Sequence, residues 1–154
     1  MMEIILLIIA IISLFFSGYQ THLSKKAQIE EMDRNNDEKY DELKKDRQEQ
    51  KLEKYFEDKS FDLLKLKKSN KEDYAHLLRW GARYLDFCFR EWKSGKLQKT
   101  VPGYLWKEWD YSIRSAFKKP IYIQLWNEGG LRDLDYKGYF KFKEYIDRCI
   151  KDGE

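Results

Sequence analysis

The feature that most constrains this chain is an abrupt change of solvent preference along its length. From Ile4 to Phe16, twelve of thirteen residues are apolar, and Glu3 is the only charge before Lys25. Beyond residue 24, 56 of 130 residues are Asp, Glu, Lys or Arg. The first regime is driven out of water and the second is held in it, so a mean hydropathy of −0.80 describes neither. Composition excludes a polytopic membrane protein, a disulfide scaffold and a collagen-like chain. With 16% aromatic residues, the chain is also too rich in core formers for wholesale disorder.

As a helix, the 16 residues Ile4–Tyr19 rise about 24 Å. Extension through the uncharged Gln20, Thr21 and His22 to Leu23 reaches the roughly 20 residues that a hydrocarbon core of about 30 Å requires. Ser17-Gly18 would suit a signal-peptide cleavage site, but only Met1-Met2-Glu3 stands where a basic leader belongs. A buried core helix is disfavoured because no other segment is apolar on all sides. The expectation is a single membrane span, with Ile4, Leu7, Ile11, Phe15 and Tyr19 as the anchor to the lipid bilayer. Lys25, Lys26 and Arg34 follow the apolar run and no Lys or Arg precedes it. The positive-inside rule then predicts an inner (plasma) membrane protein, single-pass, with a short N-terminus outside and a cytoplasmic C-terminal domain. Cys88 and Cys149, far apart in sequence, read as reduced thiols in that compartment.

Residues 24–54 form a charged helical connector with ten acids and nine bases in 31 positions, and neither proline nor glycine. Glu30→Arg34 and Asp41→Lys45 supply i,i+4 pairs in the favourable order. Leu23, Ala27, Ile29, Met32, Tyr40, Leu43 and Leu52 make only a broken heptad. That pattern suits a solvated stalk, with self-packing as the sharper reading. Asp33-Arg-Asn-Asn-Asp37 is the place to expect a kink or break.

Residues 55–154 carry 21 of the 25 aromatics and all five tryptophans, with 21 bases against 16 acids. The periodicity is helical throughout, and about one hundred residues can bury a real core. A helix is expected around Tyr55–Leu66. A central one follows a cap at Ser69–Asp73, with Tyr74, Leu77, Leu78, Gly81, Leu85, Cys88 and Trp92 recurring at helical spacing. Gly95 reads as its stop. Pro102 opens the next helix, whose apolar face is Leu105, Trp106, Trp109, Ile113, Ala116 and Phe117, and Lys118-Lys119 suit its negative end. Pro120 begins a short segment to Trp126, and Gly129-Gly130 break the chain. Asp135 caps a last helix with Tyr139, Phe140, Phe142, Tyr145, Ile146, Cys149 and Ile150 apolar. The fold class is therefore all-α: an N-terminal transmembrane helix through residue 23, a charged connector through 54, and a small aromatic-rich helical domain. Trp92, Trp106, Trp109 and Trp126 are the candidate core or interface aromatics.

No constellation for chemistry emerges. His22 and His76 lack partners at metal-ligand spacing, and no Walker A, GxGxxG, GxSxG or HExxH motif occurs. Asp86, Glu91, Glu108 and Asp110 could be drawn as acid/base couples, but any helical domain this charged contains such pairs. No catalytic, cofactor or metal residue is assigned. Nucleic acid is disfavoured as a partner, because the bases are interspersed with acids and the aromatics follow core periodicity.

The segments Leu85-Asp-Phe-Cys-Phe-Arg-Glu-Trp92, Gly95-Lys-Leu97, Leu105-Trp-Lys-Glu-Trp109, Pro120, Trp126-Asn-Glu128 and Tyr136-x-x-Tyr-Phe-x-Phe142 follow in order. The chain thereby resembles a broad group of small, uncharacterised bacterial proteins, DUF4760-like, that join one membrane helix and a charged stretch to a helical domain with spaced tryptophans. The resemblance implies that architecture and no reaction. The outline is also similar to that of single-span accessory proteins of bacterial phage defence. The functional expectation is a membrane-anchored, non-enzymatic protein whose helical domain binds a protein partner or itself. The alternative is a homo-oligomeric, pore-forming membrane effector of phage defence.

Overall fold

The computed structural model describes residues 2–134 and 140–152, with the side chains of residues 2–5 and of Ile8 outside that description. Among the described residues the chain is all-helical, with seven α-helices and no strand. It divides into two compact units, Met1–Glu38 and Lys39–Glu154.

The first unit is formed by most of α1 (Met2–Glu49). The helix passes through Asp33–Asp37 without the expected break, because Asp, Arg and Asn at solvated positions leave the backbone ladder intact. Leu7, Ile11, Phe15 and Tyr19 are exposed, Phe15 at 77%, and the Ile4 side chain lies outside the described residues. Thr21 Oγ1 returns its hydroxyl to the Ser17 carbonyl at 2.9 Å. Ion pairs join Lys26 to Glu30 at 3.8 Å and Arg34 to Glu38 at 3.9 Å, one partner along from the expected Glu30→Arg34.

The membrane expectation is corrected here. Among the described residues no helix is long and apolar enough to cross a membrane. From Gln20 onward the same helix carries polar side chains and then, from Lys25, dense charge. The single-pass, inner-membrane localisation with an external N-terminus is overturned by this finding.

The second unit begins inside the charged stretch, at Lys39. Leu43 and Leu52 are buried, so part of the charged stretch belongs to a core. The helix expected around Tyr55–Leu66 is two helices, α2 (Glu53–Glu57) and α3 (Leu63–Ser69). Asp58 Oδ1 accepts from Ser60 N at 2.8 Å and turns the chain between them, and Asp62 caps α3 through Lys65 N at 2.8 Å. Gln124 clamps this corner. Its Nε2 donates to the Phe61 carbonyl and its Oε1 accepts from Leu63 N, both at 2.6 Å.

The central helix is α4 (Lys71–Trp92), capped by Asn70 Oδ1, which accepts from Asp73 N at 3.1 Å. It buries Leu77, Trp80, Tyr84, Leu85, Phe87, Cys88 and Trp92, so it is covered on more than one side. Gly95 does not stop the chain; it lies in a π-helical turn, Lys93–Leu97. A Cβ there would come within 2.2 Å of the Trp106 ring, so only glycine admits the indole. Then come α5 (Gly103–Ala116), α6 (Pro120–Asn127) with Pro120 in its first turn, and a left-handed Gly130 at φ +73°. The last helix, α7 (Phe140–Lys151), buries Phe142, Tyr145, Ile146, Cys149 and Ile150. Phe140, expected in that face, is exposed, because at 100° per residue it lies on the side of α7 opposite Phe142 and Cys149. Asp135, Tyr136 and Tyr139 lie outside the described residues. Trp126 Nε1 and Arg132 both donate to the Asp147 carboxylate, at 2.9 and 2.8 Å, and tie α6 to α7.

Candidate functional site

The end of α1 meets the middle of α4 within the second unit. Arg83 pairs with Asp46 at 2.7 Å, Trp80 Nε1 donates to the Leu43 carbonyl at 2.9 Å, and the Tyr40 and Phe87 rings lie 6.0 Å apart. The indole bond explains why this end of α1 is fixed. A Trp buried in an apolar core must satisfy its N–H, and the nearest acceptor is a backbone oxygen of the neighbouring helix.

Beneath this seam sits an aromatic cluster. Trp80 stacks on Tyr84 at 5.3 Å, Phe56 meets Trp80 edge-on at 4.7 Å, and Tyr122 lies 5.0 Å from Tyr84. Arg47 reaches down from α1, its guanidinium 4.6 Å from the Phe56 ring and 5.7 Å from Trp80, while Nε bonds Glu53 at 2.9 Å. A cation over two rings, partly shielded from water, contributes on the order of 1–2 kcal/mol.

Above the seam an open groove of about 450 Å³ is lined by residues of both helices. Leu43, Ala82 and Phe87 supply apolar surface, and Lys39, Glu42, Arg83, Asp86 and Arg90 supply charge. Asp86 is held by Arg90 at 2.5 Å, with both side chains more than half exposed. Sequence reasoning listed Tyr40 and Leu43 only as sparse connector positions. The signal for the groove was their i,i+3 spacing, continued by Arg47, on a helix side otherwise made of long charged stems.

The other candidate residues are placed as follows. Trp92, Trp109 and Trp126 are buried, and Trp106 is half-buried between Gly95 and Tyr145. None of these four presents an exposed indole. Asp110 accepts from Arg114 Nε and from Tyr145 Oη, both at 2.8 Å, which makes it a bridge between α5 and α7. Glu108 is exposed, whereas Glu91 is 4% exposed within the core. Cys88 and Cys149 are buried free thiols. Burial, with the Glu91 carboxylate adding to it, pushes the Cys88 thiol well up, and burial pushes Tyr84 in the same direction. A protonated, enclosed thiol is a poor nucleophile. Among the described residues no three His, Cys, Asp or Glu side chains converge as a metal site. No family model, curated protein or solved structure matches the chain.

Proposed function

We propose that the unit Lys39–Glu154 is a non-enzymatic protein-interaction module whose binding site is the groove between α1 and α4. The observation that supports this is a concavity of about 450 Å³ lined by Leu43, Ala82 and Phe87 together with Lys39, Glu42, Arg83, Asp86 and Arg90, on a scaffold fixed by the Trp80 and Arg47 contacts. Binding grooves are commonly apolar inside with a few charged groups at the rim, and helical segments dock in such grooves. The acids that a catalytic reading would use have structural partners instead: Asp86 has Arg90, and Asp110 has Arg114 and Tyr145.

A photo-crosslinking amino acid placed at Lys39, on the groove rim, tests this against the same group at the exposed Tyr111. The expected result is a discrete protein adduct from position 39, lost when Ala82→Trp fills the groove while circular dichroism stays unchanged. Adducts of equal yield from both positions, or one that survives the filled groove, would contradict the reading.

A further inference from the structure

We propose that the apolar stretch of α1 pairs antiparallel with the same stretch of a second copy of this chain, an interaction independent of the groove. From Leu6 to Leu23, ten large apolar side chains of this helix are 45% exposed or more. At roughly 100 Å² apiece they present about 1,000 Å² of apolar surface, beyond the roughly 300–600 Å² of the largest patch on a typical monomer. Each partner of a standard, stable interface contributes about 800 Å². A second copy brings an equal surface, so a pair reaches that size with no other component.

Spacing selects the face. Ile9, Ile12, Phe16, Tyr19 and Leu23 follow at intervals of three, four, three and four residues, the period that lines one side of a helix for a helical partner. All five are between 46% and 63% exposed. Rows on the other sides of the helix meet Ser13, Ser17, Gly18, Gln20, Thr21 or His22, so none of them stays large and apolar over the same length. Charge selects the direction. In an antiparallel register centred on residue 14, Ile12 stands level with Phe16 of the partner copy and Ile9 with its Tyr19. The same register sets position 3, a glutamate, level with position 25, a lysine, at both ends of the stretch. A parallel pair in register would set Glu3 against Glu3, and Lys25 and Lys26 against their own counterparts, which opposes like charges.

The test uses the full chain and cysteine cross-linking, since the native Cys88 and Cys149 are buried. Ile9→Cys and Tyr19→Cys are made as separate variants and oxidised with copper–phenanthroline, each alone and the two co-expressed. In the antiparallel pair, residue 9 of one copy is level with residue 19 of the other. Residue 9 is then about 15 Å along the axis from residue 9 of the partner copy, beyond the reach of a disulfide. Co-expression should therefore give a disulfide-linked dimer on a non-reducing gel, and each variant alone about tenfold less. Leu14→Cys, on the opposite side of the helix, should stay unlinked. Light scattering of the unsubstituted chain should return twice its 18.8 kDa. The double variant Ile12→Glu, Phe16→Glu should return the single-chain mass with the circular dichroism of a helical protein.

A single-chain mass for the unsubstituted protein at about 50 µM, well above a micromolar dissociation constant, would overturn self-pairing. Cross-linking of each variant alone, with none added by co-expression, would overturn the antiparallel register. Linkage of Leu14→Cys as strong as that between positions 9 and 19 would overturn the chosen face and point to unspecific apolar aggregation. Flotation of the chain with phosphatidylcholine–phosphatidylglycerol vesicles, with the 9–19 cross-link lost, would overturn the proposal by giving the apolar surface to lipid.

Discussion

Two parts of one helix carry similar sequences and different fates. Residues 24–38 and 39–49 of α1 are both dense in charge, and both offer a sparse apolar residue every few positions. The first part belongs to the unit Met1–Glu38, where Arg34 and Glu38 form an exposed pair. The second belongs to the compact unit, where Leu43 is buried, its carbonyl accepts from Trp80, and Arg47 lies over Phe56. The difference shows that charge density does not decide which part of a helix joins a core. One leucine, one arginine stem and one backbone oxygen within reach of an indole are enough.

That comparison can be broken at its strongest point first. Trp80→Ala removes the stacked ring and frees the Leu43 carbonyl, and it should cost about 3–5 kcal/mol in chemical denaturation of the full chain. Trp80→Phe keeps most of the volume and should cost distinctly less. Leu43→Ala, on the α1 side, should cost about 2–4 kcal/mol; a loss below about 0.5 kcal/mol would return this segment to the category of solvated stalk. Arg34→Ala, in the other part, should shift stability by less than about 0.5 kcal/mol, as exposed i,i+4 pairs do.

A pH series sharpens the contrast in another way. Burial opposes it, but the Arg132 guanidinium and the Trp126 indole hold the Asp147 carboxyl below its usual range. A carboxylate lowered on folding stabilises the native state above the ordinary Asp value, and that contribution is lost as pH falls through the lowered one. Asp147→Asn should therefore flatten the acid limb of a stability-versus-pH curve.

Much of the fold could be read from residue spacing. The face of α4 from Leu77 to Trp92, the Asn70 cap, Pro120 in the first turn of α6 and the apolar stripe of α7 all follow from local rules. The split between α2 and α3 was also signalled, by Asp58, Ser60 and Asp62, but the apolar run from Tyr55 to Leu66 masked it. The groove was harder to see. Its defining bond runs to a backbone carbonyl, which every residue carries, so nothing in the identity of residue 43 announces that an indole will reach it. Gly95 misled for a similar reason: a stop signal and a notch for Trp106 call for the same residue. The membrane expectation rested on the apolar run that opens the sequence, whereas among the described residues no helix is long and apolar enough to cross a membrane.

The most direct test of the central claim is amide hydrogen exchange along α1. If residues 39–49 are part of the compact unit, their amides should exchange only with its global opening, at rates matching those of Leu77–Cys88 in α4. Amides of residues 25–38 should exchange markedly faster. Uniform, fast exchange across both parts of the helix, with α4 still protected, would contradict the account.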